Sequence, residues 1–191
     1  MKISNLNTDD KVIIIAEIGN NHEGDFNIAV ELIEAAAKSG VDCVKFQTFK
    51  TEHYVNKIQT ERSERLKSFE LSYEEFKDLS EISRQLGLAF ISTPFDLESA
   101  KFLISICDAI KISSSDNIFY PLLKTVSRDP IPKIVSTGLA NFQEVIKLVS
   151  YFDSDFLALL HCVSAYPVPE NQINLSYIHK LSLELNCTVG Y

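Results

Sequence analysis

Long apolar runs are missing from this sequence. None approaches the ~20 residues that a membrane-spanning helix needs, and the longest near the start, Val12–Ala16, is ended by Glu17. No charged-then-apolar leader precedes it. Excess positive charge is missing too. The 18 Lys and Arg face 26 Asp and Glu, a net charge of −8, which argues against a basic face that wraps nucleic acid. One or two placed Lys can still hold a small anionic substrate. Cysteine is sparse. Cys43, Cys107, Cys162 and Cys187 form no C-x-x-C pair, which argues against a thiolate zinc site. The expected state is reduced core thiols in a cytoplasmic protein with no membrane segment. Gly and Pro number 6 each, too few for a low-complexity or collagen-like chain. What is present, 46% hydrophobic and 23% charged residues, is the composition of one globular domain with material for a core.

Short β-rich runs alternate with amphipathic helices. The runs are Val12–Gly19, Val41–Thr48, Leu88–Pro94, Ala109–Ser115, Pro132–Gly138 and Leu157–Ser164, and a seventh begins at Cys187–Tyr191. Between them the spacing predicts helices over Asn27–Ser39, Ser72–Leu86, Leu97–Ile106, Pro121–Ser127, Phe142–Phe152 and Leu175–Leu185. Ser72 with Glu75 makes a capping box, and Leu71 with Phe76 a hydrophobic staple. Asp96 and Asn141 are N-cap residues. The segment Thr51–Ser68 carries many charges and reads as a loop.

Regular β/α alternation implies parallel strands with right-handed crossovers. Two architectures compete, an open doubly wound sheet and an eight-stranded barrel. The turn after the first run, Gly19-Asn20-Asn21-His22-Glu23-Gly24, is not G-x-G-x-x-G, so a dinucleotide site has no support. Most runs finish in polar or ionisable residues: Glu17, Lys45 and Gln47, Thr93, Lys111 with Ser113 and Ser114, Ser136 and Thr137, and Ser164. Residues two apart share a strand face, so Ile13, Ile15 and Glu17 point one way, as do Cys43, Lys45 and Gln47. Cys162, Ser164 and Tyr166 share a parity if their strand runs that far. Buried Lys and Glu are costly unless paired or used. A polar ring at the C-terminal ends of parallel strands is where barrel enzymes keep their sites. The expected fold is therefore an α/β barrel of the TIM (β/α)8 type.

The run Ile15-Ala16-Glu17-Ile18-Gly19-Asn20-Asn21-His22-Glu23-Gly24 resembles the opening of N-acetylneuraminate (sialic acid) synthases and of the related legionaminate, pseudaminate and spore-coat polysaccharide synthases. The resemblance continues in order through Val44-Lys45-Phe46-Gln47-Thr48, Ile91-Ser92-Thr93-Pro94-Phe95, Lys111-Ile112-Ser113-Ser114, Val135-Ser136-Thr137-Gly138 and Leu160-His161-Cys162-Val163-Ser164-Ala165-Tyr166-Pro167. Val189-Gly190-Tyr191 looks like the residues just before a Ser-Asp-His segment of the family. On this resemblance residues 1–191 are expected to be an N-terminal synthase barrel domain truncated within the seventh strand, lacking the eighth strand and a C-terminal antifreeze-like domain.

The resemblance implies condensation of phosphoenolpyruvate with a 2-acetamido hexose of the N-acetylmannosamine kind, giving a nonulosonic acid and phosphate. It implies phosphoenolpyruvate binding by Lys45, Thr93, Lys111, Ser114 and Ser136; Gln47, on the Lys45 face, is expected to orient that ligand or the lysine, and Ser164 stands where some family members have Asn, so its contact there becomes a hydroxyl's or is lost. Glu17 and Tyr166 are implied on the sugar side, with Glu17 and Asp116 as candidates for proton transfer. A divalent metal, Mn²⁺ or Mg²⁺, is implied for the family, with its histidine ligands beyond Tyr191, and a homodimer when the antifreeze-like domain is present. His22 and His161 read as structural, His53 and His179 as surface residues. Asp116 can equally be a turn or capping aspartate. Two rival readings stay open. The chain alone could be an inactive fragment or binding remnant, with unpaired edges at its first and seventh strands. Alternatively, Lys45 or Lys111 could form a Schiff base, as in barrel aldolases.

Overall fold

The computed structural model describes residues 1–165 and 167–191. An antiparallel hairpin, β1 (Lys2–Ile3) and β2 (Leu6–Asn7), comes first. The chain then runs β3 (Ile15–Gly19), α1 (Phe26–Lys38), β4 (Cys43–Thr48), α2 (Thr51–Tyr54), α3 (Thr60–Phe69), α4 (Tyr73–Gln85), β5 (Ala89–Pro94), α5 (Leu97–Leu103) and β6 (Ala109–Ile112). It continues with α6 (Tyr120–Val126), β7 (Lys133–Ser136), α7 (Phe142–Val149), β8 (Leu157–Leu160), α8 (Ser176–Leu185) and β9 (Thr188–Gly190). The seven strands β3 to β9 pair in chain order, all parallel. The sheet curls into an open barrel. Strict chain order, with no switch point, separates this fold from the doubly wound alternative. β3 and β9 are the edges of the sheet.

Strand alternation divides the core into two layers. Outward-facing Val44, Phe46, Phe90, Ile110, Val135 and Leu159 pack beneath the helices. The inner face holds small and branched residues, Cys43, Ala89, Ile91, Ala109, Ile134 and Ala158, with Ile3 of the hairpin inserted among them. The hairpin thus stops the N-terminal end of the barrel. The chain's amino group secures it, donating to Thr8 Oγ1 at 2.8 Å and to Thr188 Oγ1 at 3.2 Å.

The caps stand where the residue types place them. Ser72 with Glu75, and Asn141 with Glu144, form reciprocal capping boxes on α4 and α7, and Asp96 caps α5. Leu71 and Phe76 are both buried, as a hydrophobic staple requires.

Other expectations need correction. The strands are shorter than the apolar runs: β6 stops at Ile112 and β8 at Leu160, so Ser113, Ser114 and Ser164 lie in turns and the strand does not reach the Cys162–Ser164 parity. Cys43 is in a strand, but Cys162 and Cys187 lie just outside β8 and β9, and only Cys43 and Cys107 are buried. Segment Thr51–Ser68 is no loop. It holds α2 and most of α3. Helix α3 buries only Leu66, so it carries no apolar stripe to read. Tertiary packing of Leu66 on Phe49 and Val55, flanked by Tyr54, Phe69 and Phe95, supplies the missing reason for it.

Candidate active site

The polar groups form a layer two residues above the apolar one. Moving two positions along the inner face turns Ile15 into Glu17, Cys43 into Lys45, Ile91 into Thr93, Ala109 into Lys111 and Ile134 into Ser136. Period-two geometry forces all five onto the same side of the sheet, at its C-terminal rim. Glu17 and Lys45 are register partners across β3 and β4, and Lys45 Nζ lies 2.7 Å from Glu17 Oε2. The same ammonium donates to Thr93 Oγ1 at 3.2 Å. Lys111 Nζ donates to Ser136 Oγ at 2.5 Å and to the Ile112 carbonyl at 2.8 Å. Glu17, Lys45 and Lys111 line one cavity of about 810 Å³, with Ile13, Ile15 and Leu160 beneath them.

The two amines differ in environment. Lys45 has a carboxylate partner. Lys111 is 7% exposed and has only neutral acceptors. Burial, then the neighbouring Lys45 charge, push its ammonium down to about 8, against weaker pulls from Cys162, Glu17 and Asp116. Loss of water is the larger cause. An anion placed between the two ammonium groups would offset both the desolvation and the repulsion.

A serine turn borders Lys111. Asp116 Oδ2 accepts from Ser113 Oγ and, at 2.9 Å, from Ser115 Oγ, so in this structure Asp116 organises the turn. Ser114 and Ser164 meet at Gly138: a Cβ built there would lie 2.7 Å from Ser114 Oγ and 2.8 Å from Ser164 Oγ. The hydroxyls can rotate, but Ser114 Cβ, at 3.2 Å, must give way, so Gly138→Ala is expected to displace both hydroxyls at a cost of about 1–3 kcal/mol of stability. Urea unfolding should read the stability change. No loss of stability would count against this geometry.

On the other side, Gln47 Oε1 accepts from Asn20 Nδ2 at 2.9 Å, which holds the glutamine beside Glu17. His22 is buried, and its Nδ1 accepts from the Gly24 N–H at 3.1 Å. Burial lowers its pKa, with Glu75 opposing, so it is a neutral imidazole that shapes the turn. His161 packs edge-on against Tyr177, on the outward face, and His53 and His179 are exposed. Tyr166 lies outside the described residues.

Sequence reasoning missed two residues, Asn20 and Asn117. Asn117 is buried, and its Nδ2 donates to the Ser136 and Gly138 carbonyls. Nothing in the sequence marks a side chain that bonds to main-chain carbonyls, apart from its closeness to the serine run. Among the described residues no three His, Cys, Asp or Glu side chains gather into a group able to hold a metal ion. These residues therefore do not by themselves make a divalent-metal site. No helix among them is long and apolar enough to cross a membrane.

Comparison with known proteins adds family evidence to this geometry. An uncharacterised protein of Methanocaldococcus jannaschii is 41% identical over 95% of this chain and 55% of its own length. The N,N'-diacetyllegionaminic acid synthase of Legionella pneumophila is 40% identical over 93% of the chain and 56% of its own length. The chain thus spans about half the length of these curated relatives. The crystal structure of an N-acetylneuraminic acid (sialic acid) synthetase from Leptospira borgpetersenii, in complex with citrate, superposes with a TM-score of 0.85 at 35% identity, covering 94% of this chain and 64% of that one. The NeuB family model matches residues 32–191, and the chain belongs to the NeuB family.

Proposed function

We propose that the protein condenses phosphoenolpyruvate with a 2-acetamido hexose of the N-acetylmannosamine kind, forming a nonulosonic acid and releasing phosphate. The observation that carries this reading is the placement of Lys45 and Lys111 in one inward layer, each ammonium on a hydroxyl, Thr93 and Ser136 respectively. Phosphoenolpyruvate presents a carboxylate and a phosphate, and two fixed ammonium groups with hydroxyl donors match that pair. Ser114 and Ser164 extend the hydroxyl lining at Gly138, and Gln47 orients groups on the Lys45 side.

In this reading C3 of phosphoenolpyruvate attacks the aldehyde carbon of the open-chain sugar. Water adds at C2, and phosphate leaves with cleavage of its C–O bond. Glu17 lies beside Lys45 at the cavity rim, where it contacts the sugar and relays the proton taken up by the developing alkoxide. Asp116 stands second to it, and Tyr166 belongs to the sugar side. A divalent metal, Mn²⁺ or Mg²⁺, is part of the proposal, and the roles given to these residues do not run through it. A C-terminal antifreeze-like domain reaching across a homodimer belongs to the same proposal.

One observation favours a second reading. A lysine whose ammonium is pushed down to about 8 suits Schiff-base chemistry. Two assays separate the readings. The synthase reading expects saturable phosphoenolpyruvate binding in calorimetry that weakens as pH rises through about 8, where Lys111 loses its charge. It also expects no covalent adduct after pyruvate and borohydride. Covalent trapping at Lys111, without phosphoenolpyruvate binding, would establish the aldolase reading instead.

A further inference from the structure

The β6–β7 ladder ends early. Its last register pair is Ile112 with Val135, one residue short of Ser136. Along β7 the even-numbered carbonyls face β6: Ile110 N–H donates to Pro132 C=O at 2.9 Å. The carbonyls of Ser136 and Gly138 continue that series, yet the chain of β6 has already turned away into the serine loop. Left without donors at this depth, both would be costly.

Asn117 supplies what the strand does not. The residue is 1% exposed. Nδ2 donates to Ser136 O at 3.0 Å and to Gly138 O at 2.8 Å, using both amide hydrogens. A carboxamide here behaves as two more N–H groups of the neighbouring strand. The bonded carbonyls belong to the residue whose hydroxyl accepts from Lys111, and to the glycine against which Ser114 and Ser164 close. Ser136 is therefore held from both ends, at its hydroxyl by Lys111 and at its carbonyl by Asn117. No other polar contact among the described residues spans these two segments in this way.

We propose that Asn117 is a positioning residue that fixes the distance between the serine turn after β6 and the end of β7, and so sets the width of the hydroxyl-lined anion pocket. It touches no substrate. Its effect passes through Ser136 and Gly138. The assignment deepens the phosphoenolpyruvate reading and rests on it.

The test is calorimetric titration of phosphoenolpyruvate into the wild-type protein, Asn117→Asp and Asn117→Gln, each held well below its own melting temperature. The aspartate keeps the shape, loses both donors and sets a carboxylate against two carbonyls. The glutamine keeps both donors on a longer arm, so it folds where the aspartate fails to. Asn117→Asp is expected to bind about tenfold more weakly or worse, with Asn117→Gln in between. If the aspartate does not fold, a weakened Kd for the folded glutamine variant carries the result. Wild-type affinity in the folded variants, with only the melting temperature lowered, would show a purely structural role and overturn the assignment. Failure of the wild-type protein to bind phosphoenolpyruvate would overturn the site reading itself, and this assignment with it.

Discussion

Lys111→Met is expected to make the protein more stable and to abolish phosphoenolpyruvate binding. The reason is the cost of an ammonium group held 7% exposed with no carboxylate partner. Its pKa stands at about 8, against an ordinary value of 10.5, a difference worth about 3 kcal/mol of unfavourable environment for the charged form. Methionine fills a similar volume without the charge. It leaves Ser136 Oγ and the Ile112 carbonyl without their donor, which costs about 1 kcal/mol each. A net gain of about 1–2 kcal/mol remains, or about 2–4 °C in melting temperature per kcal/mol for a chain of this size.

The pH dependence gives a second readout of the same substitution. Between about pH 8 and 10.5 the unfolded lysine keeps its proton while the folded one has lost it. The unfolded state binds more protons there, so wild-type stability gains an increasing contribution as pH rises through this window. In Lys111→Met that contribution is missing. Urea midpoints for the two proteins at pH 7 and pH 9.5 check the sign. A wild-type advantage at pH 7, or no difference in pH slope, would contradict the buried-charge account.

Gly24→Ala is expected to be among the most damaging single-methyl additions in the chain. The backbone at Gly24 has φ of +85°, and an added Cβ would lie 2.0 Å from the Ser68 carbonyl oxygen. That atom belongs to the backbone of α3 and cannot swing aside. The turn after β3 and the helix α3 must separate, and the left-handed conformation adds its own penalty. Together these cost about 3 kcal/mol or more. Chemical denaturation should show this loss, and amide exchange should show lost protection in α2 and α3. Gly87→Ala is the control: it shares the positive φ, at +80°, but has nothing within 4 Å of its Cβ, so it should lose only about 1 kcal/mol. Equal losses at the two positions would show that the Ser68 contact carries no weight.

Period-two patterning made the inner face readable. Ile15 with Glu17, and Cys43 with Lys45, share a side because strand geometry permits nothing else. Residues past the last ladder pair were harder. Ser114, Ser164 and Gly138 come together from turns, where no periodicity fixes direction. The hairpin at Lys2–Asn7 was not legible either. Its turn places Ser4 at φ of +53°, a position that glycine usually announces. Helix α3 is polar almost all round, and its apolar anchor is the packing of Leu66 on Phe49 and Val55. Asn117 was hidden for a different reason: both its partners are main-chain atoms, which every residue has.

In the proposed function two strand-end amines, Lys45 and Lys111, share one anionic ligand. A crystal structure of the protein with phosphoenolpyruvate is the most direct test. The phosphate and carboxylate are expected within hydrogen-bond distance of Lys45 Nζ and Lys111 Nζ. Ligand bound elsewhere, with both ammonium groups still on Glu17, Thr93 and Ser136 alone, would contradict this.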